Sequence, residues 1–129
     1  MASVHATLYD RMTAYTGLTD LVGTRIYRQP VPLHVDLPAV TYQLISSRRM
    51  RAAGGAVHVV ERVQVNCWAD TPDDADAVAD EIVSAFDHWR DESGSVQIRQ
   101  AKVADQQDMH SGDSEKDWRV VDLLIARSV

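Results

Sequence analysis

The histidines are the first side chains here that could carry chemistry. The five histidines of the chain are His5, His34, His58, His88 and His110. None of them forms a His-x-His or His-x-x-x-His pair, and a single cysteine cannot complete a structural zinc set. We therefore expect no metal site, and we interpret His58 and His88 as solvated residues of a strand and a helix.

Cys67 is the only cysteine of the chain, so an internal disulfide is excluded and a reducing cytosol fits best. It alternates with Val63 and Val65, which predicts the aliphatic face of a strand, where burial raises the pKa of a thiol. A nucleophile at that position is not expected. The sequence also contains no Gly-x-Ser-x-Gly elbow, and Gly54 and Gly55 do not continue into a phosphate loop. No catalytic residue and no cofactor are predicted.

Acidic residues form two clusters that could suggest hard-metal or acid/base chemistry. The first comprises Asp70, Asp73, Asp74, Asp76 and Asp80, and the second Asp105, Asp108, Asp113, Glu115 and Asp117. The first has the composition that the N-terminus and solvent face of a helix prefer. The second lacks the regular alternation and the glycine of a calcium loop. We interpret both clusters as solvated acids.

Three arginines stand close together in a chain whose formal net charge is −6, namely Arg48, Arg49 and Arg51. Two interpretations remain open at this stage. They belong to a solvated loop that blunts a sheet edge, or they face an acidic partner or passing nucleic acid.

Three tryptophans complete the residues of interest. Trp68 lies on the polar side of its predicted strand and is a candidate interface anchor, whereas Trp89 and Trp118 are predicted to lie in the core.

Composition limits the class of protein. A length of 129 residues with 45% hydrophobic residues predicts a single domain over 1–129 that fills its own core. The acidic balance argues against broad binding to nucleic acid or to anionic membranes. No apolar run approaches the roughly 18 residues that span a bilayer, and residues 1–20 lack the pattern of a secretion signal. We expect synthesis in the cytoplasm and no membrane partner.

Helices are predicted in three places. Apolar residues at helical spacing, with Ser3 as N-cap and Gly17 as the stop, predict the first helix over 3–15. A further turn is predicted over 18–22, ending at Gly23. Thr71 as a capping hydroxyl and Pro72 at the first helical position predict the second main helix, which is expected to end near 91–94.

Strands are predicted over 25–27, 39–47, 57–69, 96–105 and 116–127. Residues 28–38, with three prolines, are predicted to be irregular, and 48–55 to form an extended, mobile hairpin loop. The last strand is apolar on both faces, so it is central in its sheet or covered by a neighbouring subunit. The fold class is α+β, with a mixed, mainly antiparallel sheet of four to five strands and two main helices packed on one face.

The order of four segments resembles the phage tail-completion family, which includes tail terminator and tail-to-head joining proteins. These segments are LTDLVGTRIY (18–27), LPAVTYQLIS (37–46), VQVNCWADTPDDADAVADEI (63–82) and WRVVDLLI (118–125). None of them is a catalytic motif, and the resemblance rests on their order and spacing across nearly the whole chain.

The resemblance implies a structural protein of a phage, prophage or gene transfer agent virion, at the junction of tail and head. It implies a ring, usually a hexamer, that caps the completed tail tube, ends polymerisation and presents a surface to the head connector or stopper. DNA would pass through its lumen without sequence-specific binding. Arg48, Arg49 and Arg51 would then line the lumen or contact the tube.

Two alternatives stay open. One keeps the virion setting but assigns the chain to another neck position, such as a head-completion or stopper protein. The other is a ligand-binding or enzymatic domain whose site forms between subunits, with His58, Arg62 and Asn66 from the polar face of one strand.

Overall fold

The structure, a computed structural model, describes residues 4–29, 36–51, 54–55, 57–92, 96–111 and 116–128. In these ranges the elements are α1 (Val4–Ala14), α2 (Thr16–Val22), β1 (Ile26–Arg28), β2 (Ala39–Arg51), β3 (Val57–Ala69), α3 (Pro72–Phe86), β4 (Ile98–Ser111) and β5 (Lys116–Ser128). The strands form one sheet in the order β1-β2-β3-β5-β4. Only β1 and β2 pair in parallel. The predicted α+β fold with a mainly antiparallel sheet is confirmed.

The core lies between the helices and one face of the sheet, which we call the helix-bearing face. Alternate residues of β2, β3, β4 and β5 supply its buried side chains: Val40, Tyr42, Val63, Val65, Cys67, Ala101, Val121, Leu123 and Ile125. The helices cover them with Leu8, Met12, Leu18, Val22, Val78, Ile82 and Phe86. Burial of one such large side chain contributes roughly 1.5–3 kcal/mol. No helix in the described part of the chain is long and apolar enough to cross a membrane.

The start of α3 follows the predicted capping chemistry. The Thr71 hydroxyl accepts a hydrogen bond from the backbone N–H of Asp74 at 3.2 Å, and Pro72 occupies the first turn. The helix ends at Phe86, earlier than the predicted 91–94. His88 has a φ of 63°, and its backbone N–H donates to the carbonyl of Ala101, so the chain turns out of the helix and runs along β4.

The first two helices also differ in one detail from the prediction. Gly17, expected to end α1, lies inside α2, where an added Cβ would require the flexible Glu81 side chain to move. The stop of α1 is the break at Tyr15 between the two helices. Gly23 ends α2 as expected, with a φ of 59° that favours glycine. The proposed N-cap Ser3 lies outside the described residues.

Two strands are longer than predicted, and the predicted loop at 48–55 is the main error. β2 continues through Arg51, because Arg48 to Arg51 pair with β3 from Val60 to Val57. In the same way β4 continues to Ser111 opposite the start of β5. Cross-strand hydrogen bonds supply the stabilisation that the polar sequences of these segments do not reveal. A register shift between Leu44 and Ser46 interrupts the alternation of β2.

β5 occupies an interior position of the sheet, between β3 and β4. Its residues Val121, Leu123 and Ile125 are fully buried on the helix-bearing face. This confirms that the strand is central. The prediction for Trp118 is wrong, because it lies on the opposite face and is only half-buried.

A buried ion pair joins β3 to β5 within the core side of the sheet. The Glu61 carboxylate, on a side chain only 4% exposed, accepts a hydrogen bond from Nε of Arg127. Arg127 retains 28% of its side chain in solvent. The sequence pattern missed this pair, because Glu61 interrupts an otherwise aliphatic series and its partner is 66 residues away.

Variants that break the ion pair between Glu61 and Arg127 test its contribution to the stability of the fold. We expect Arg127→Met to lower the free energy of unfolding by about 3 kcal/mol, because it leaves a buried carboxylate without its cation. Glu61→Gln should cost less, since the remaining guanidinium is partly hydrated and the amide oxygen still accepts a hydrogen bond. Urea unfolding of both variants and the unchanged protein measures the difference. Equal costs would contradict the proposed asymmetry.

Candidate docking surface

The sheet face opposite the helices, called here the helix-free face, has no second layer among the described residues. It is formed by the side chains of β2 to β5 that point away from the core. Ile45, Met50 and Met109 on this face are 46%, 46% and 41% exposed. Val60, Val120 and Leu124 lie half-buried between them and line its shallow grooves. Clustered apolar side chains left in solvent are typical of a protein-binding surface.

An ion pair crosses the middle of the helix-free face. Nη2 of Arg62 on β3 donates to Oδ2 of Asp122 on β5 at 2.8 Å. This hydrogen bond raises the pKa of the Arg62 guanidinium above its ordinary value, so the group stays charged. Asp122 is nearly buried, whereas about half of the Arg62 side chain reaches solvent. The pair therefore fixes a charged donor at the centre of an apolar surface.

Trp68 lies at one end of the same face. Its ring stacks on Trp118 with centroids 4.7 Å apart, and its indole N–H donates to Oγ1 of Thr41 at 3.0 Å. Both contacts hold the ring in one orientation on three adjacent strands. Trp68 as an interface anchor remains a prediction, for which the fixed, half-buried ring is a suitable geometry.

Arg48, Arg49 and Arg51 are all exposed, but they do not form one patch. Because they belong to a strand, their side chains alternate. Arg48 shares the helix-free face with Val60, whereas Arg49 and Arg51 point to the other side. No carboxylate in the described part of the chain forms an ion pair with any of the three. Their predicted placement in a loop is wrong, and their role in partner binding remains a prediction.

The three residues considered for a ligand site do not converge within one subunit. His58, Arg62 and Asn66 share a face of β3, but the first and last are eight residues apart, about 26 Å along a strand. Arg62 is bound to Asp122. Asn66 is 2% exposed and accepts a hydrogen bond from the Gln64 side chain at 3.1 Å. One small molecule cannot contact both ends of this set.

Metal-binding clusters and reactive thiols are the remaining candidates for chemistry. Within the ranges given above, no group of three His, Cys, Asp or Glu side chains is arranged to hold a metal ion. Cys67 is fully buried on the helix-bearing face, and burial raises the pKa of its thiol far above the ordinary value. The thiol therefore stays protonated and packs as a small apolar group.

The burial of Cys67 gives a direct test. We expect the thiol of the folded protein to react with Ellman's reagent at least about a thousandfold more slowly than that of the urea-unfolded chain, because reaction requires unfolding. As a control, Ser84→Cys on the exposed side of α3 should add one rapidly reacting thiol. Rapid reaction of the unchanged protein would contradict the structure around Cys67.

Comparisons with known proteins identify the family of the chain. The model of the family "Tail completion protein gp17" matches residues 6–126. The fold is similar to that of a chain in the solved structure "Virion of native gene transfer agent (GTA) particle". The TM-score is 0.78 at 16% sequence identity, covering 98% of this chain and 96% of that chain. No curated protein sequence gives a significant match. The chain belongs to the tail completion protein gp17 family and is a structural protein of the virion tail.

Proposed function

We propose that this protein caps the completed tail tube as a ring of identical subunits, ends tube polymerisation and offers the surface to which the head attaches. The helix-free face is the observation that carries this proposal. This face presents fixed apolar and charged side chains that no second layer covers in the described part of the chain, an arrangement that suits contact with neighbouring proteins. Its grooves are shallow and open, which suits protein docking more than enclosure of a substrate.

A ring places specific demands on the subunit. Identical copies around a rotation axis meet through two different patches, so that each copy binds one neighbour on each side. Besides these patches the fold offers two chemically distinct surfaces to other partners: an acidic helix layer, including Asp73 and Asp80, and an apolar sheet face with Arg62 at its centre. We propose a hexamer, with the tail tube protein on one side of the ring and the head connector or stopper on the other.

DNA is the remaining proposed contact. A net charge of −6 disfavours tight binding to the phosphate backbone, which suits a lumen through which DNA must slide. Arg48, Arg49 and Arg51 are proposed to line that lumen or to contact an acidic surface of an adjoining ring. In either position, exposed guanidinium groups can bind carboxylates or phosphates.

The phenotype of a gene deletion distinguishes tail capping from a stopper or head-completion role. Deletion of its gene is expected to give tails of excess and variable length that lack heads, because nothing stops the tube. Purified protein added to growing tubes should restore a uniform length. Electron microscopy measures both. Tails of normal length beside heads that lose their DNA would contradict capping and favour a stopper or head-completion role.

The arginines of β2 can be tested together. Arg48→Ser, Arg49→Ser and Arg51→Ser in one chain should leave the melting temperature within a few degrees, since exposed side chains contribute little to stability. We expect the yield of complete particles to fall about tenfold, the effect of losing roughly 1.4 kcal/mol of binding. Arg28→Ser, at an exposed arginine of β1, is the control. An unchanged particle yield would indicate that the three arginines contact solvent and bind no partner.

A further inference from the structure

We propose that neighbouring copies join edge to edge, with β2 of one copy pairing antiparallel with β4 of the next, so that the sheet continues from subunit to subunit. This inference rests on the proposed ring, and it specifies the subunit contact that the ring requires. It follows from the backbone of the two outer strands, from their charges and from their directions.

Both sides of the sheet leave backbone groups unpaired over similar lengths. β1 pairs only with 40–42 of β2, so among the described residues positions 43–51 have no strand on their outer side. On the other side, residues 87–91 occupy the edge of β4 only at 98–103. Positions 104–111 have no such cover in the described part of the chain. Unpaired strand edges readily pair with another chain unless something prevents it.

The two open edges carry opposite charges. Residues 43–51 contain Arg48, Arg49 and Arg51 and no acidic residue, whereas 104–111 contain Asp105 and Asp108 and no lysine or arginine. Two copies of the β2 edge therefore repel one another, as do two copies of the β4 edge. The mixed pair is attractive. This pattern selects head-to-tail contacts, which close a ring, over symmetric dimers.

Strand direction permits the same contact. β2, β3, β5 and β4 are antiparallel in succession, so β2 and β4 run in opposite directions. When an identical copy is placed beside the first by rotation about a ring axis, its β4 lies antiparallel to β2. No strand has to be reversed or rebuilt. The open part of β2 lies at the end of the sheet where β4 begins, and the open part of β4 lies at the other end, so the neighbouring sheet is staggered by about ten residues along the strands.

The sheet face on which each side chain lies restricts the register in which β2 can pair with β4 of the next copy. Met50 and Met109 both lie on the helix-free face, and Arg51 and Asp108 both point to the other side. The register that places Met50 opposite Met109 also places Arg51 opposite Asp108. It brings two exposed methionines into contact and gives Arg51 a carboxylate of the next subunit in the same ring, so that Arg48 and Arg49 are the arginines left for the lumen or an adjoining ring. Asp108 can accept this contact, because its side chain is 78% exposed and the hydrogen bond that it accepts from Arg119 uses Oδ1.

Cross-linking tests the contact directly. In Met50→Cys/Met109→Cys, a short bismaleimide should join neighbours and give a ladder of covalent multimers from purified tails. Within one chain the two positions lie on outer strands and at opposite ends of the sheet, because Met50 is level with Ser128 of β5 and Met109 with Trp118. Ten residues along a strand are roughly 33 Å, which a short bismaleimide cannot span. Each single variant should give at most dimers. Met50→Cys/Leu21→Cys, with the second thiol on exposed α2, is the matched control and should give no ladder.

A charge exchange adds a second test. Arg51→Glu should lower the cross-linking yield of the double-cysteine protein about tenfold, because two carboxylates then face each other. Adding Asp108→Arg should restore most of the yield, whereas Asp74→Arg on the exposed start of α3 should not. No effect of Arg51→Glu, or no selective rescue, would overturn the proposed register.

The outcomes separate this inference from the proposed function. A double-cysteine protein that is incorporated into capped tails but gives no ladder overturns edge pairing and leaves capping intact. Normal tail length without the protein overturns capping. A ladder formed by the purified protein alone would still support the strand contact in that case.

Discussion

The antiparallel pairing of β3 with β5 is the constraint on which the rest of the structure depends. It runs from His58 to Ala69 and holds together two strands that are about 60 residues apart in the chain. The aliphatic sides of both strands form the floor on which α3 packs, and Glu61 meets Arg127 at the margin of that floor. β2 and β4 then add on either side. Without this central pair neither the helices nor the outer strands have a surface to bind.

One-sided packing has a functional consequence. All three described helices cover the same face, and no described residue forms a layer over the opposite face of the central, doubly apolar β5. In a monomer this exposes apolar surface to water at a cost in free energy, and partner subunits offset that cost when they cover it. Family membership supplies the setting in which such partners exist, since a tail completion protein acts within an assembly.

The distribution of charged side chains says more about assembly than the net charge of −6 does. Charged groups on the inner strands β3 and β5 are already neutralised locally, as in Arg62 with Asp122 and Arg127 with Glu61. The arginines at the open end of β2 have no such partner among the described residues. Local neutralisation in the interior and unsatisfied charge at the margins are what an assembly subunit needs, because the margins meet its neighbours.

The sequence by itself determined the element types, the aliphatic face of β3, the cap at Thr71 and the family. These features depend on local spacing and on the order of segments. Both can be read from the sequence without knowledge of tertiary contacts. Only the tertiary structure decided that Arg48 to Arg51 form a strand, that Trp118 faces away from the core and that Glu61 is buried with Arg127. Each of these is set by a cross-strand partner remote in sequence, and no local pattern identifies that partner.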